Sequence, residues 1–293
     1  MPRGFSPAPR GGVGPVADVA ANGITFHLQR LRRQSSDGIP HASGPVVVFL
    51  HGLVIDNLSS LYYSLANPVA QVGADAILYD QRGHGLSERP PSGYRIEDSV
   101  ADLGRLLESL EVAGPVHLVG HSYGASVALR AALAEPARFA SLVLVEPHCA
   151  ESHDGGDWVE DVADMLTAAA LSLEHNPVAR NLSSASERRK VRGVQTTNSF
   201  LNATSLIEDI ASSPPFTDDE LRGLQMPVLA IYGEYTDLAS SARKLAACIP
   251  HCRLEVLPGL GHSVLRDARD VVLGMVEAWL AGFSQAGIGK GGQ

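Results

Sequence analysis

The chain has little of what marks several large protein classes. No run of about 18 apolar residues occurs, so nothing in it reads as a membrane span. Lysine is scarce, with Lys190, Lys244 and Lys290 the only three among 23 basic residues. Against 32 Asp and Glu this leaves a net charge of −9, which argues against nucleic acid or an anionic membrane as a main partner. The opening MPRGFSPAPRGGVGP lacks the apolar core of a signal peptide and reads as a flexible arm over residues 1–15. The three cysteines (Cys149, Cys248 and Cys252) are odd in number, which fits reduced thiols in a cytoplasmic protein. Cys248, His251 and Cys252 fall short of a four-ligand zinc set, so no metal is expected.

A globular composition is what is there. The hydrophobic fraction is 45% and the charged fraction 19%, and 293 residues suffice for one large domain with an inserted subdomain. VADVAA and ITFHLQRL flank Asn22-Gly23 and read as a hairpin. Short buried strands follow at Val46 to Leu50, Ala76 to Tyr79, Val116 to Val119 and Leu142 to Val145. Helices at Leu58 to Val72, Ile96 to Leu110 and Ala125 to Ala134 separate them. Such alternation predicts a mostly parallel, doubly wound α/β sheet. It then stops. From Pro147 to about Pro215 no strand is evident, and Trp158 to Leu173 and Ser186 to Ile210 read as helices. The expected organisation is therefore a core over 16–148 and 217–283, a helical cap over 149–216 and a flexible tail over 284–293. Strands at Val228 to Tyr232 and Arg253 to Leu257, a helix near Ala239 to Ala247, and a final helix from Val264 to Phe283 complete the core.

The chemistry centres on Gly120-His121-Ser122-Tyr123-Gly124. A strand that turns into a helix within a few residues strains its middle residue and admits only very small neighbours two positions away. Gly120 and Gly124 meet that demand, leaving Ser122 exposed on a tip beside the Tyr123 amide and the positive helix end. Three other loops follow strands directly. His51-Gly52-Leu53 offers the Leu53 amide as half of an oxyanion hole with the Tyr123 amide, while His51 itself reads as structural. Asp237, after Gly233-Glu234-Tyr235-Thr236, can orient an imidazole or merely cap the helix that follows it. Glu146, at another strand end on the same side, is its rival. His262, between glycines at 259 and 261 and Ser263, suits a general base.

The order Ser122, Asp237, His262, together with LHGL at 50–53, DQRGHGLS at 80–87, GHSYG at 120–124, YGEYTD at 232–237 and GLGHS at 259–263, resembles the α/β-hydrolase fold superfamily in its serine hydrolase branch. The resemblance runs from about Val16 to Phe283. It implies a cap over the active site and a mechanism without cofactor or metal. Epoxide hydrolases and haloalkane dehalogenases of this fold carry Asp at the position of Ser122, which disfavours those activities. The expected function is hydrolysis of a carboxylic ester or thioester through an acyl-enzyme. Alternatives within the fold are an acyltransferase, a releasing thioesterase or cyclase of specialised metabolism, or a C–C bond hydrolase; a non-catalytic ligand receptor is the alternative outside enzymes. Trp158, Met165 and Phe200 are candidate pocket residues, with core packing inside the cap as the plainer reading. An apolar roof would favour a small-molecule substrate with a hydrophobic acyl part.

Overall fold

The strands are β1 (Val16–Ala21), β2 (Ile24–Leu31), β3 (Val46–Leu50), β4 (Asp75–Tyr79), β5 (Val116–His121), β6 (Phe139–Val145), β7 (Val228–Gly233) and β8 (Cys252–Leu257). The computed structural model describes residues 16–32, 44–53, 56–149 and 200–286. The hairpin forms as its sequence predicts: Asn22 and Gly23 take φ of 48° and 78°, the left-handed values of a two-residue turn. β1 and β2 pair antiparallel, as do β2 and β4, and the remaining neighbours are parallel. The result is one eight-stranded sheet in the order β1-β2-β4-β3-β5-β6-β7-β8.

Helices cover both faces, which is why the central strands read as unbroken apolar runs. Successive side chains alternate between the faces. Val48, Leu50 and Leu118 pack with Leu103 and Leu106 of α3 (Ile96–Ser109) and Val127 of α4 (Tyr123–Ala134). Val47, Phe49 and Val119 pack on the other side with Leu61, Leu65 and Val69, and with Val272 and Val276 of the C-terminal helix Arg269–Ala286. Leu61 to Val69 lie on one helical run made of α1 (Leu58–Leu61), a π-turn (Tyr62–Ala66) and α2 (Asn67–Gln71).

β3 lies between β4 and β5, so the chain leaves β3 toward one edge and later returns to its other side. The loops after β3 and β5 therefore leave the sheet side by side at the carboxyl ends of the strands, the end where open α/β sheets bind ligands. Its flank is held by a buried ion pair. Arg82 donates to Asp102 from Nε at 2.5 Å and Nη2 at 2.6 Å, and Asn22 Nδ2 donates to the same carboxylate at 2.7 Å. One carboxylate thereby ties the hairpin turn, the loop after β4 and α3 together.

Two expectations need correction. The final helix is not continuous: Val264–Asp267 ends at Ala268, with φ of −131°, and Arg269–Ala286 begins anew. There the tertiary contacts of Arg269, which donates to the Tyr63 carbonyl at 2.9 Å, override helix propensity. That helix also runs to Ala286, past the boundary expected at Phe283. The chain leaves the sheet at Val145 and returns at Val228, and the described residues 200–227 carry helices Leu206–Ala211 and Asp218–Arg222 and no strand. The helix expected at Trp158 to Leu173, most of that expected at Ser186 to Ile210, the arm over 1–15 and the last residues of the tail lie outside the described residues. Among the described residues no helix is long and apolar enough to cross a membrane.

Candidate active site

The turn from β5 into α4 is as tight as its glycines imply. Ser122 has φ of 52° and ψ of −121°, a strained conformation for a side chain with a Cβ. A Cβ on Gly120 would come 2.5 Å from Ala125 Cα, and one on Gly124 would come 2.2 Å from the Leu50 carbonyl oxygen. The second contact presses the start of α4 onto the end of β3. It brings Tyr123 to the loop of His51, Gly52 and Leu53. Tyr123 is the first residue of α4, where an amide has no intrahelical acceptor. The Ser122 amide is occupied, donating to the Val145 carbonyl at 2.8 Å.

The loop after β3 is clamped from below. His51 is fully buried; its Nε2 accepts from the Gln81 amide at 3.0 Å, so Nδ1 carries the hydrogen and donates to the Gly52 carbonyl at 2.7 Å. Gln81 Nε2 returns a bond to the His51 carbonyl at 2.6 Å. Both ring nitrogens of His51 are thus taken up by backbone partners. Gln81 is a partner that sequence reasoning missed, its signal lying in the DQRGHGLS run.

The carboxylate beside His262 is Glu146, not Asp237. His262 Nδ1 stands 3.1 Å from Glu146 Oε2. Glu146 is fully buried, has φ of 54°, and turns back from the end of β6 toward β7. There the Gly233 amide donates to Oε1 and the Thr236 hydroxyl to Oε2, each at 2.6 Å. Because the loop after β7 presents Thr236 inward, Asp237 faces out. Asp237 is exposed and makes no hydrogen bond to His262. The capping role is not seen either, since the helix Ala239–Cys248 starts at Leu238 without a side-chain cap. The carboxylate fixes the His262 tautomer with the hydrogen on Nδ1, leaving Nε2 as the basic nitrogen. The His262 ring lies 6.2 Å from that of His121, the neighbour of Ser122. Among the described residues no hydrogen bond joins Ser122 to His262.

Of the candidate pocket residues, Phe200 is fully enclosed. Its ring meets His84 at 4.9 Å and Tyr94 at 5.3 Å between centroids, with the Arg89 guanidinium 4.8 Å above it. Leu206 and Ile210 complete this cluster, and Leu53 and Tyr123 pack at its edge. Phe200 therefore packs the returning chain onto the site rather than opening to it. Trp158 and Met165 lie outside the described residues.

Three buried histidines give the fold an acid limit. Burial lowers the pKa of His51 and His117, and burial aided by the nearby His51 lowers that of His84 to about 3. Their folded values lie below the unfolded value of about 6.5, so the unfolded chain takes up protons first as pH falls. Stability is full above about pH 6.5 and declines below it by about 1.4 kcal/mol per histidine per pH unit until the folded value is reached. Urea midpoints measured from pH 7 to pH 4 are expected to fall steadily; a flat midpoint down to pH 5 would contradict this burial.

A family model described as alpha/beta hydrolase fold matches residues 45–268. The chain is 26% identical over 270 residues to the 2-(acetamidomethylene)succinate hydrolase of Mesorhizobium japonicum, covering 88% of this chain and 96% of that protein. It is 29% identical over 259 residues to the non-heme chloroperoxidase of Streptomyces lividans, covering 80% and 89% respectively. Among solved structures, the enol-lactonase from Burkholderia xenovorans LB400 superposes with a TM-score of 0.67 at 22% identity, over 90% of this chain and all of that one. With its sheet order, its strained serine turn and this match over most of its length, the chain belongs to the α/β-hydrolase family.

Proposed function

We propose that the protein is a serine hydrolase that cleaves a carboxylic ester or thioester through an acyl-enzyme on Ser122. The observation that carries the reading is the buried Glu146 carboxylate on Nδ1 of His262, whose ring lies 6.2 Å from that of His121, the neighbour of a serine held at a positive φ. In this chemistry Nε2 of His262 takes the Ser122 proton as Oγ attacks the acyl carbon. The amides of Leu53 and Tyr123 receive the oxyanion, and the same Nε2 then protonates the departing alcohol or thiol. Water, deprotonated by Nε2, attacks the acyl-enzyme, releases the acid and restores the hydroxyl. Glu146 stays ionised throughout and stabilises the imidazolium.

The relative from Mesorhizobium japonicum, a hydrolase by name, supports hydrolysis over transfer to another acceptor. The excursion over 149–216 serves in this reading as a cap whose apolar side chains receive the acyl part. A panel of p-nitrophenyl esters and acyl thioesters of increasing chain length, assayed with and without EDTA, tests it. Turnover that rises with acyl length and ignores EDTA is expected. Absence of turnover on every ester and thioester would sink the reading.

A further inference from the structure

The proposed chemistry leaves a second carboxylate and a second imidazole beside Ser122 without a role. Asp56 follows the loop after β3, and its side chain is 14% exposed. Oδ1 accepts from the Asn57 amide at 2.9 Å and from the Ser60 hydroxyl. These bonds are local. Oδ2, by contrast, reaches back to accept from the Gly52 amide at 2.8 Å and stands 3.6 Å from Nδ1 of His121. That nitrogen is buried and has no hydrogen-bond partner. A Cβ on Gly52 would meet Asp56 Oδ2 at 3.1 Å, His121 Nδ1 at 3.4 Å and Ser122 Cβ at 3.6 Å. Loop, carboxylate, imidazole and nucleophile therefore converge on one glycine.

We propose that Asp56 is a positioning residue for the oxyanion loop: Oδ2, shared between the Gly52 amide and the His121 ring, ties that loop to the Ser122 turn and fixes the spacing of the Leu53 and Tyr123 amides. The proposal rests on the reading of Ser122 as nucleophile. An anion this close to a developing oxyanion is unfavourable by itself. Its three donors, the Gly52 and Asn57 amides and the Ser60 hydroxyl, take up that charge and leave its geometric effect. The balance is visible in Asp56 itself. Burial alone would raise its pKa, yet the neighbouring His121 ring and the Ser60 hydroxyl hold it well below the usual carboxylate range. His121 carries the link across to the elbow. A contact slightly longer than a hydrogen bond closes with a shift of a few tenths of an ångström, and a donor misplaced by about 1 Å costs about 10² in rate.

Asp56→Ala is therefore expected to lower kcat on p-nitrophenyl esters by about 10- to 100-fold with KM within about two-fold, the signature of an interaction made in the transition state. Asp56→Asn keeps an acceptor for the Gly52 amide and should recover part of the loss. Phenylboronic acid forms a tetrahedral anion on a reactive serine, so its affinity should fall by the same factor as kcat/KM. Asp56→Ala combined with His121→Ala should be no worse than Asp56→Ala alone, because the two act as one unit. A loss of activity with unchanged boronate affinity would overturn the positioning role, as would two effects that simply multiply. Equal boronate affinity in the wild type and Asp56→Ala would overturn it alone. A wild type that neither binds phenylboronic acid nor reacts with a fluorophosphonate would remove the acyl-enzyme reading and this proposal together.

Discussion

Glu146→Gln is expected to lower kcat by about three to four orders of magnitude, while Asp237→Asn leaves it within about two-fold. Glutamine keeps the volume of glutamate but turns one acceptor into a donor. Oε2 now accepts from both the Thr236 hydroxyl, at 2.6 Å, and His262 Nδ1, at 3.1 Å. An amide NH₂ at that position faces two donors, and the imidazole answers by flipping its tautomer, so that Nε2 carries the hydrogen and can no longer act as base. Asp237 is exposed, and its conversion to the amide changes nothing at His262. Steady-state kinetics of the two variants, with circular dichroism to confirm folding, decides between the carboxylates. The reverse ranking would return the acid to Asp237.

Ser122→Ala is expected to have the larger effect, about 10⁶ in kcat, since removing the nucleophile of a serine triad costs about as much as removing the whole triad. Stability should move the other way or stay level. Ser122 holds a φ of 52° and its structural bond to Val145 is made by the backbone amide, which alanine retains. Combining Ser122→Ala with Glu146→Gln should give no further loss, because the two residues act in one unit. Thermal melting and kinetics on the single and double variants test both statements. Additive losses would mean that Glu146 supports activity by some route other than His262.

Much of this architecture is readable from local chemistry. The hairpin appears in Asn22-Gly23 because both residues tolerate positive φ. The turn at Ser122 appears because Gly120 and Gly124 meet backbone atoms where no side chain fits. Buried parallel strands such as β3 and β5 betray themselves as apolar runs. What stays hidden depends on distant partners. Glu146 and Asp237 both follow strands, and the choice between them rests on which loop turns its polar residue inward. The inward turn belongs to Thr236, whose hydroxyl is spent on Glu146 across 90 positions of sequence. An acid directly after the apolar run of β6 was the available signal, since a charge ending a buried strand needs partners. The His51–Gln81 clamp and the break at Ala268 are likewise products of tertiary contact, with no local pattern to announce them.

Reaction of the wild-type protein with a fluorophosphonate, followed by peptide mapping by mass spectrometry, tests the central claim most directly. The account predicts a single phosphonyl adduct on Ser122, formed rapidly in the wild type and orders of magnitude more slowly in Glu146→Gln. An adduct on another residue, or none on a folded protein, would contradict it.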